Sequence, residues 1–467
     1  MQPADRVCTC SATVSRLRLF GIGEAPGGSV EFSAQQARLI PVAGMSGSRD
    51  AEARAASALL AVLSIVRPFS KALLTPLGAT GGAKATVEAF TEVSFDLPDG
   101  RTVRPDGLVS VSFGRRNFVA LIEVKTGEAK LDLEQINAYV EIARLHDYDC
   151  VVTVSNEIAP SPGVHPTDGL RIRSNSRVQV HHMSWSMILA EAVKEHTHRG
   201  VDDPEQAWIL GELIRYLEHP NSGALEFADM GANWTAVRDS AREGTLDRRD
   251  GAVIEVCQRW DQLIRFAALR LGAEIGSDVQ EVIPKAHRAD RQHRNRVFVE
   301  SLCDDGTLMG TLRVPDTIAD MVVIADLKAR LVTVSSTFDA PRDRGGRARI
   351  SWLTRQLRDT EGSLIIETYA RGARVPVVST LECLLEDPRL GLGEERKEPV
   401  RFRVLRRSEM GQGRRSARKP GFIDALLDAV NIFYGDVLQN LRAVLPPAPR
   451  LERRTDAEIE NDPVVAS

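Results

Sequence analysis

The sequence has little of what marks membrane, secreted or disulfide-stabilised proteins. Its 467 residues contain no uncharged apolar run near the roughly 18 residues that cross a bilayer. The stretch Met1–Phe20 lacks the apolar core of about 7–15 residues that a secretory signal requires. Six scattered cysteines are too few for a disulfide framework. We therefore expect a cytoplasmic protein with no membrane partner.

Lysine is also scarce, since the 60 basic residues comprise 9 lysines and 51 arginines. Biased nucleotide composition accounts for such a ratio, and it suggests that lysine stands only where arginine is unsuitable. The formal net charge is −4, whereas residues 341–420 hold 19 basic and 11 acidic residues. This local excess of positive charge favours an anionic partner.

Hydrophobic periodicity predicts a mixed α/β domain over residues 48–198. Apolar residues at helical spacing predict a helix from Ser48 to about Val66. The predicted strands are Val93–Leu97, Leu108–Phe113, Phe118–Val124, Cys150–Val154 and Arg177–His182, and the predicted later helices are Leu133–Leu145 and Ser184–Lys194. The order α-β-β-β-α-β-β-α is typical of an α/β domain.

Composition and periodicity divide the rest of the chain. The predicted segments are a Gly/Ser/Pro-rich stretch at 1–47, a helical segment at 199–275, an α+β C-terminal domain at 276–445 and a disordered tail at 446–467. The helices predicted within 199–275 are 204–219, 223–243 and 245–271. In the C-terminal domain, four β-type runs between Val297 and Phe338 predict strands, and Phe422 begins a long amphipathic helix that we expect to reach about Val444.

Acid-x-lysine triplets are the motifs most suggestive of chemistry. They are Glu123-Val124-Lys125, Glu128-Ala129-Lys130, Asp326-Leu327-Lys328 and Glu395-Arg396-Lys397. The first and third have a Pro-Asp pair upstream, at 105–106 and 315–316. The third lies between two β-type runs, so its simplest interpretation is a hairpin turn. Only the first ends a continuous apolar run, which is typical of a strand buried on both faces.

Glu123 and Lys125 should point to the same side of that strand, because side chains alternate along it. Charged groups at the end of a buried strand are costly unless they serve a metal ion or each other. A buried Glu–Lys ion pair is therefore the structural alternative to a metal site.

Asp106, Glu123-x-Lys125 and Gln135-x-x-x-Tyr139 together resemble the PD-(D/E)xK nuclease superfamily, and the last motif resembles its RecB-like branch. The resemblance covers about residues 48–198 and implies a restriction-endonuclease-like mixed sheet flanked by helices. It implies a metal-dependent nuclease that hydrolyses phosphodiester bonds in DNA, with a role in defence or repair. The alternative is a non-catalytic nucleic-acid-binding or assembly protein built on a nuclease fold.

The resemblance also assigns roles to individual residues. Asp106, Glu123 and the carbonyl group of Val124 would bind Mg²⁺ or Mn²⁺, and magnesium does prefer oxygen ligands. Lys125 would orient or deprotonate the attacking water. Arginine cannot act as such a base, because it stays protonated.

Two further residues are candidates for the same site. Glu52 lies on the inward stripe of the first helix, where many family members add a glutamate, although it would also suit a helix N-terminus. Glu88 is the alternative donor. Gln135 shares a helix face with Tyr139, which favours a role at the site, but it could instead form a capping box with Asp132. Tyr139 is a candidate for contact with nucleic acid.

Arg414, Arg415, Arg418 and Lys419 form the basic loop that best suits contact with a phosphate backbone. A solvated loop is the alternative. A protein partner that binds the C-terminal domain is also compatible with the sequence.

Overall fold

The computed structural model describes residues 32–36, 48–80, 85–97, 100–159, 165–167, 169–171, 175–224, 227–360, 363–393, 397–411, 413 and 421–443. The predicted tail at 446–467, the basic loop residues at 414–419 and most of the 1–47 segment lie outside the described residues. The elements that surround the motifs are β1 (Phe32–Gln36), α1 (Ser48–Ile65), α2 (Arg67–Leu74), β2 (Thr86–Asp96), β3 (Thr102–Val103), β4 (Gly107–Phe113), β5 (Arg116–Val124), α3 (Leu133–Leu145), β6 (Cys150–Ser155), β7 (Gln179–Ser184) and α4 (Trp185–Val193).

Strands β1 to β7 form one mixed sheet in the order β1-β2-β4-β5-β6-β7, with β3 paired to β2. The pairs β2–β4 and β4–β5 are antiparallel, whereas β5–β6 and β6–β7 are parallel. In this register Glu123 stands beside Thr153, which stands beside His182. These three side chains therefore share one face of the sheet, near the carboxyl ends of three parallel strands.

Both faces of this sheet are covered, which explains the continuous apolar run in β5. Ile122 and Val124 belong to a core that includes residues of α1, α2, α4 and the later helix α5 (Pro204–Glu218). Leu121 and Val119 belong to a second core that includes α3. The mixed α/β architecture predicted for 48–198 is confirmed, and α3 has the bounds that the sequence predicts.

The helices predicted within 199–275 exist with shifted ends. They are α5 (Pro204–Glu218), α6 (Trp234–Glu243) and α7 (Gly251–Ile275). Helix α5 nearly matches its predicted range of 204–219. Helix α6 begins well after the predicted residue 223, and α7 extends beyond the predicted residue 271. Local capping explains the bounds of α7, since the Asp250 side chain accepts a hydrogen bond from Ala252 N and Gly276 ends the helix at φ 69°.

The expectation of four strands between Val297 and Phe338 is wrong at its first run. The elements there are β8 (Gln280–Glu281), α8 (Lys285–Ala289), α9 (Arg291–Asp305), β9 (Thr307–Arg313), β10 (Met321–Asp326) and β11 (Leu331–Asp339). Asp290 caps α9 by accepting from His293 N, and Phe298, Val299 and Leu302 are buried. Capping and packing thus override the strand preference of the β-branched residues. The hairpin turn predicted at 326–329 is confirmed, because Asp326 pairs with Leu331.

The remaining elements are α10 (Gly346–Gln356), β12 (Ile365–Ala370), β13 (Val377–Thr380), α11 (Leu381–Glu386), β14 (Pro399–Glu409) and α12 (Phe422–Asp436). The long helix expected to reach Val444 therefore stops at Asp436. The chain forms two compact units, one of residues 1–336 and 405–434 and the other of 337–404 and 435–467. The chain leaves the first unit within β11 and returns to it within β14.

The first unit contains an aromatic stack and a buried ring of ion pairs. Phe422, the first residue of α12, stacks on Trp234 with ring centroids 4.3 Å apart. In addition, Asp261 and Arg265 of α7 form a closed ring of ion pairs with Glu281 of β8 and Arg294 of α9. All four side chains of this ion-pair ring are at most 12% exposed.

Among the described residues, no single helix is both long and apolar enough to span a membrane, although α1 and α2 together, bent by 108°, meet that test of length and composition.

Candidate active site

Asp106 is placed by the backbone of its neighbours. It immediately precedes β4, and its Oδ2 accepts a hydrogen bond of 2.6 Å from Val124 N at the end of β5. The next residue, Gly107, packs closely on α1 and β2, since a Cβ there would overlap the Leu60 side chain and lie 2.9 Å from the carbonyl oxygen of Phe90. The hydrogen bond from Val124 N therefore holds the Asp106 carboxylate against the end of β5.

Glu123 and Lys125 point to the same side, as strand alternation predicts. Lys125 Nζ donates a hydrogen bond of 2.6 Å to Glu123 Oε1. It also lies 3.7 Å from Glu52 Oε2 of α1. The glutamate that the sequence offers as an alternative, Glu88, is exposed on β2. Glu52, rather than Glu88, is thus the acid that the structure brings to Lys125.

Helix α3 adds Gln135 and Tyr139 to this cluster. The Tyr139 hydroxyl donates to Glu123 Oε2 at 2.7 Å, and Gln135 Nε2 donates to the Tyr139 oxygen at 2.6 Å. Gln135 does not complete a capping box, because its side chain turns to Tyr139 while Asp132 Oδ1 accepts from the backbone of Glu134 and Gln135. Tyr139 is 1% exposed, so its position suits orientation of Glu123 rather than stacking on a base.

The electrostatics of the cluster favour added positive charge. Burial, followed by the charge of Glu123, raises the pKa of Asp106 to about 7. Burial alone would lower the pKa of Lys125, but Glu123, Glu52 and Asp106 outweigh it and raise this pKa above its usual value. Burial and the Glu123 charge also raise the pKa of Tyr139, which therefore stays a neutral donor. Lys125 is accordingly an ammonium in this arrangement.

This donor set fits a hard divalent cation. Three carboxylates, from Glu52, Asp106 and Glu123, surround the single ammonium group of Lys125. Oxygen ligands of this kind suit magnesium, which commonly uses one or two carboxylates and keeps several waters. In the described part of the chain, no group of three or more His, Cys, Asp or Glu side chains is placed so that it could hold a metal ion. Any metal would therefore be held by fewer protein side chains together with backbone oxygen and water.

A histidine cluster beside Glu123 is a feature that sequence reasoning missed. Thr153 Oγ1 lies 2.8 Å from His165 Nε2 and 2.9 Å from His182 Nδ1. His182 Nε2 lies 2.7 Å from the carbonyl oxygen of Glu157, so this nitrogen carries the proton. Burial lowers the pKa of both histidines to about 4. Period-two alternation could have placed Thr153 and His182 together, but nothing in the sequence indicates His165.

The basic loops of the sequence have different outcomes. Arg414, Arg415, Arg418 and Lys419 lie outside the described residues, so their phosphate contacts stay a prediction. In the second arginine-rich stretch of the basic region, residues 342–349, Arg349 is buried and donates to the carbonyl oxygens of Arg344 and Pro399. This arginine therefore holds the backbone of the second unit.

The location of the site is consistent with chemistry at the edge of a sheet. The acidic and basic groups meet at the carboxyl end of β5, where the parallel strands β6 and β7 also end. Ligands of α/β proteins commonly bind at such an edge. The chain matches no protein-family model, no curated protein and no solved structure.

Proposed function

We propose that the protein is a metal-dependent nuclease of the PD-(D/E)xK type that hydrolyses phosphodiester bonds in DNA. One observation carries this proposal: Glu52, Asp106, Glu123 and Lys125 come from three separate elements and meet at one sheet edge. A structural ion pair would need only Glu123 and Lys125. Glu52 and Asp106 are half-buried and add two further carboxylates, whose charge a bound cation would offset.

In this proposal, each side chain has a distinct task. Asp106, Glu123 and the Val124 carbonyl group hold Mg²⁺ or Mn²⁺, which lowers the pKa of a bound water and stabilises charge on the phosphate. Lys125, as an ammonium, orients that water and offsets charge on the phosphate oxygens. Tyr139 and Gln135 fix the orientation of Glu123 through a continuous hydrogen-bond chain.

The mixed sheet supports the restriction-endonuclease-like fold that the motifs imply. The strands β2, β4 and β5 are antiparallel, and a helix leads from β5 to its parallel neighbour β6. The motif residues lie on these elements in the order that the resemblance implies. We propose a role in defence or repair of DNA on the same basis, and a cytoplasmic location because the six cysteines are too few and too scattered for a disulfide framework.

The decisive experiment is a cleavage assay on linear, circular and single-stranded DNA and on RNA. Cleavage should require Mg²⁺ or Mn²⁺, stop with chelator and favour DNA. The double variant Asp106→Asn/Glu123→Gln should be inactive and should lose the rise in Tm that Mg²⁺ gives to the wild type. Binding of DNA without cleavage by the wild type would favour the alternative, a non-catalytic binding or assembly protein.

The basic loop offers a test of DNA contact. Replacing Arg414, Arg415, Arg418 and Lys419 by alanine should weaken binding to all DNA sequences alike. The slope of log K against log salt should flatten by about 0.9 for each lost phosphate contact on duplex DNA. An unchanged slope would exclude this loop from DNA binding and favour a protein partner at the C-terminal domain.

A further inference from the structure

The loop after β5 carries Lys125 and is fixed at its first residue by two backbone contacts. Lys125 N donates to the carbonyl oxygen of Val154 at 2.8 Å. The Lys125 carbonyl oxygen accepts from Trp185 Nε1 at 2.9 Å, and Trp185 is 1% exposed. These contacts set where the Lys125 side chain leaves the strand.

Two residues later, the same loop is bound by a segment that lies far along the chain. Gly127 N donates to the carbonyl oxygen of Gly223 at 2.8 Å. Asn156 Nδ2 lies 2.9 Å from the carbonyl oxygen of Gly127 and 2.8 Å from that of Gly223. One side-chain amide therefore ties the Lys125 loop to the turn that follows α5.

The turn after α5 is built for this close approach. Gly223 has φ 79°, and a Cβ there would lie 2.7 Å from Thr126 Cβ. The buried Ser222 supports it, because its Oγ donates to the Leu217 carbonyl oxygen and accepts from Ala224 N. A residue with a side chain at 223 would push the turn away from Thr126, and with it the carbonyl oxygen that holds Gly127.

We propose that Asn156 and Gly223 are positioning residues that hold the Lys125 ammonium beside Glu123. This inference rests on the proposed function, since it concerns the lysine of the same site. Its basis is that misplacing a catalytic group by about 1 Å can cost about a hundredfold in rate. The helical segment at 199–275 thereby takes part in building the site, although its residues lie outside the stretch that carries the motifs.

The first test measures the loop itself and needs no activity. In the full-length protein, Asn156→Ala should speed hydrogen exchange at the amides of residues 125–129 by about tenfold or more. The reason is that the carbonyl oxygens of Gly127 and Gly223 lose their shared donor, which loosens the bond from Gly127 N to Gly223. Asn117→Ala is the matched control. Asn117 also binds two partners, Ser110 Oγ and Ser112 Oγ, but on the hairpin at the other end of β5. Unchanged exchange at Gly127 in the Asn156 variant would overturn the inference.

The second test separates a hydrogen-bonding role from packing. Asn156→Asp keeps the shape of the side chain but replaces the donor with a carboxylate oxygen that faces two carbonyl oxygens. We expect kcat to fall about 10- to 100-fold in both the Ala and Asp variants. KM and the midpoint of Mg²⁺ in thermal-shift titrations should stay at wild-type values. Full activity of Asn156→Asp, or an equal loss of Mg²⁺ affinity, would contradict a positioning role toward Lys125.

A third variant pair keeps the inference falsifiable if the Asn156 variants fold poorly. Gly223→Ala should show the same faster exchange and lower kcat, and adding Thr126→Gly should restore part of both by removing the overlap. If Thr126→Gly does not restore either property in the Gly223→Ala variant, the close contact between Gly223 and Thr126 is not what holds the loop. If the wild type cleaves no nucleic acid, the proposed function fails, while the exchange data still decide whether Asn156 and Gly223 hold the loop.

Discussion

Two clusters of charged side chains in the first unit, one buried and one half-buried, use similar residue types but differ in charge balance. The ion-pair ring has two carboxylates, Asp261 and Glu281, and two guanidinium groups, Arg265 and Arg294. The candidate active site has three carboxylates around the ammonium of Lys125. The balanced cluster satisfies itself, whereas in the proposed function the excess negative charge of the other is offset by a bound metal ion.

The type of basic side chain in each cluster fits this difference in charge balance. Arginine is planar and binds two carboxylates at once, so it suits a closed structural ring. Lysine is a compact charge on a flexible stem, and it suits a group that must address a water or a phosphate. In a chain with few lysines, the lysine at the end of β5 is therefore more informative than the many arginines elsewhere.

Removing Lys125 should produce the largest effect on activity. If it did not, the contrast between a structural ion-pair ring and a catalytic cluster would no longer hold. Lys125→Ala should reduce the cleavage rate by about 10⁴-fold, because residues that act as a catalytic unit fail together. Lys130→Ala is the matched control, since Lys130 ends an exposed acid-x-lysine triplet five residues later. Cleavage rates of the two purified variants decide this, and equal activity would remove Lys125 from the mechanism.

Neutralising one carboxylate in each cluster should change stability in opposite directions. Asp261→Asn leaves two buried guanidinium groups with Glu281 as their one remaining carboxylate in the ring, so the free energy of unfolding should fall by about 3–5 kcal/mol. Asp106→Asn can still accept from Val124 N and relieves repulsion from Glu123, so metal-free stability should rise. Urea denaturation with chelator measures both. Destabilisation of similar size in both variants would show that the site is a structural cluster like the ring.

Tyr139→Phe should give an intermediate effect that sharpens the picture of the site. Without the hydroxyl, Glu123 Oε2 loses the donor that orients it, and activity or Mg²⁺ affinity should fall about 10- to 100-fold. Gln135→Ala should lose less, because Gln135 reaches Glu123 only through Tyr139. Steady-state kinetics over a range of Mg²⁺ concentrations test this order. A larger loss for the Gln135 variant would contradict the view that Gln135 acts on Glu123 only through Tyr139.

The smallest effect concerns the histidine cluster, which is neutral and so stands apart from both charged clusters. The pKa values of His165 and His182 are lowered to about 4 in the folded protein from 6.5. Between these values the unfolded chain binds more protons, so the stabilisation is complete above pH 6.5 and is lost as pH falls toward 4. His165→Gln should flatten this decline in urea titrations, and a slope equal to that of the wild type would exclude the pair as its cause.

Local sequence patterns predicted helices and strands with regular apolar spacing. They also predicted the site residues whose chemical type is most restricted. Helix α3 has its predicted bounds because Asp132 caps it and its apolar spacing is regular. Glu123 and Lys125 could be placed on one side because alternation along a strand is strict. Asp106 was predicted at the site from the resemblance of the motifs, whereas the tight fit of Gly107 against Leu60 and Phe90 is seen only in the structure.

Contacts between distant residues could not be predicted in this way. The α9 segment contains β-branched residues, and only its cap and its packing make it a helix. Asn156 and Gly223 are common residue types in loop sequences, and their contact with Gly127 depends on how the turn after α5 meets the sheet. His165 likewise reaches Thr153 from a loop that carries no periodic pattern.

The stacking of Phe422 on Trp234 sets the order in which the protein can fold during its synthesis. Phe422 follows Trp234 by roughly 190 residues, and the strands and helices of the second unit lie between them in the chain. At about 5–20 residues per second, a ribosome takes about 10–40 s to make that stretch. The core of the first unit therefore cannot include Phe422 until residues 337–404 of the second unit have been translated.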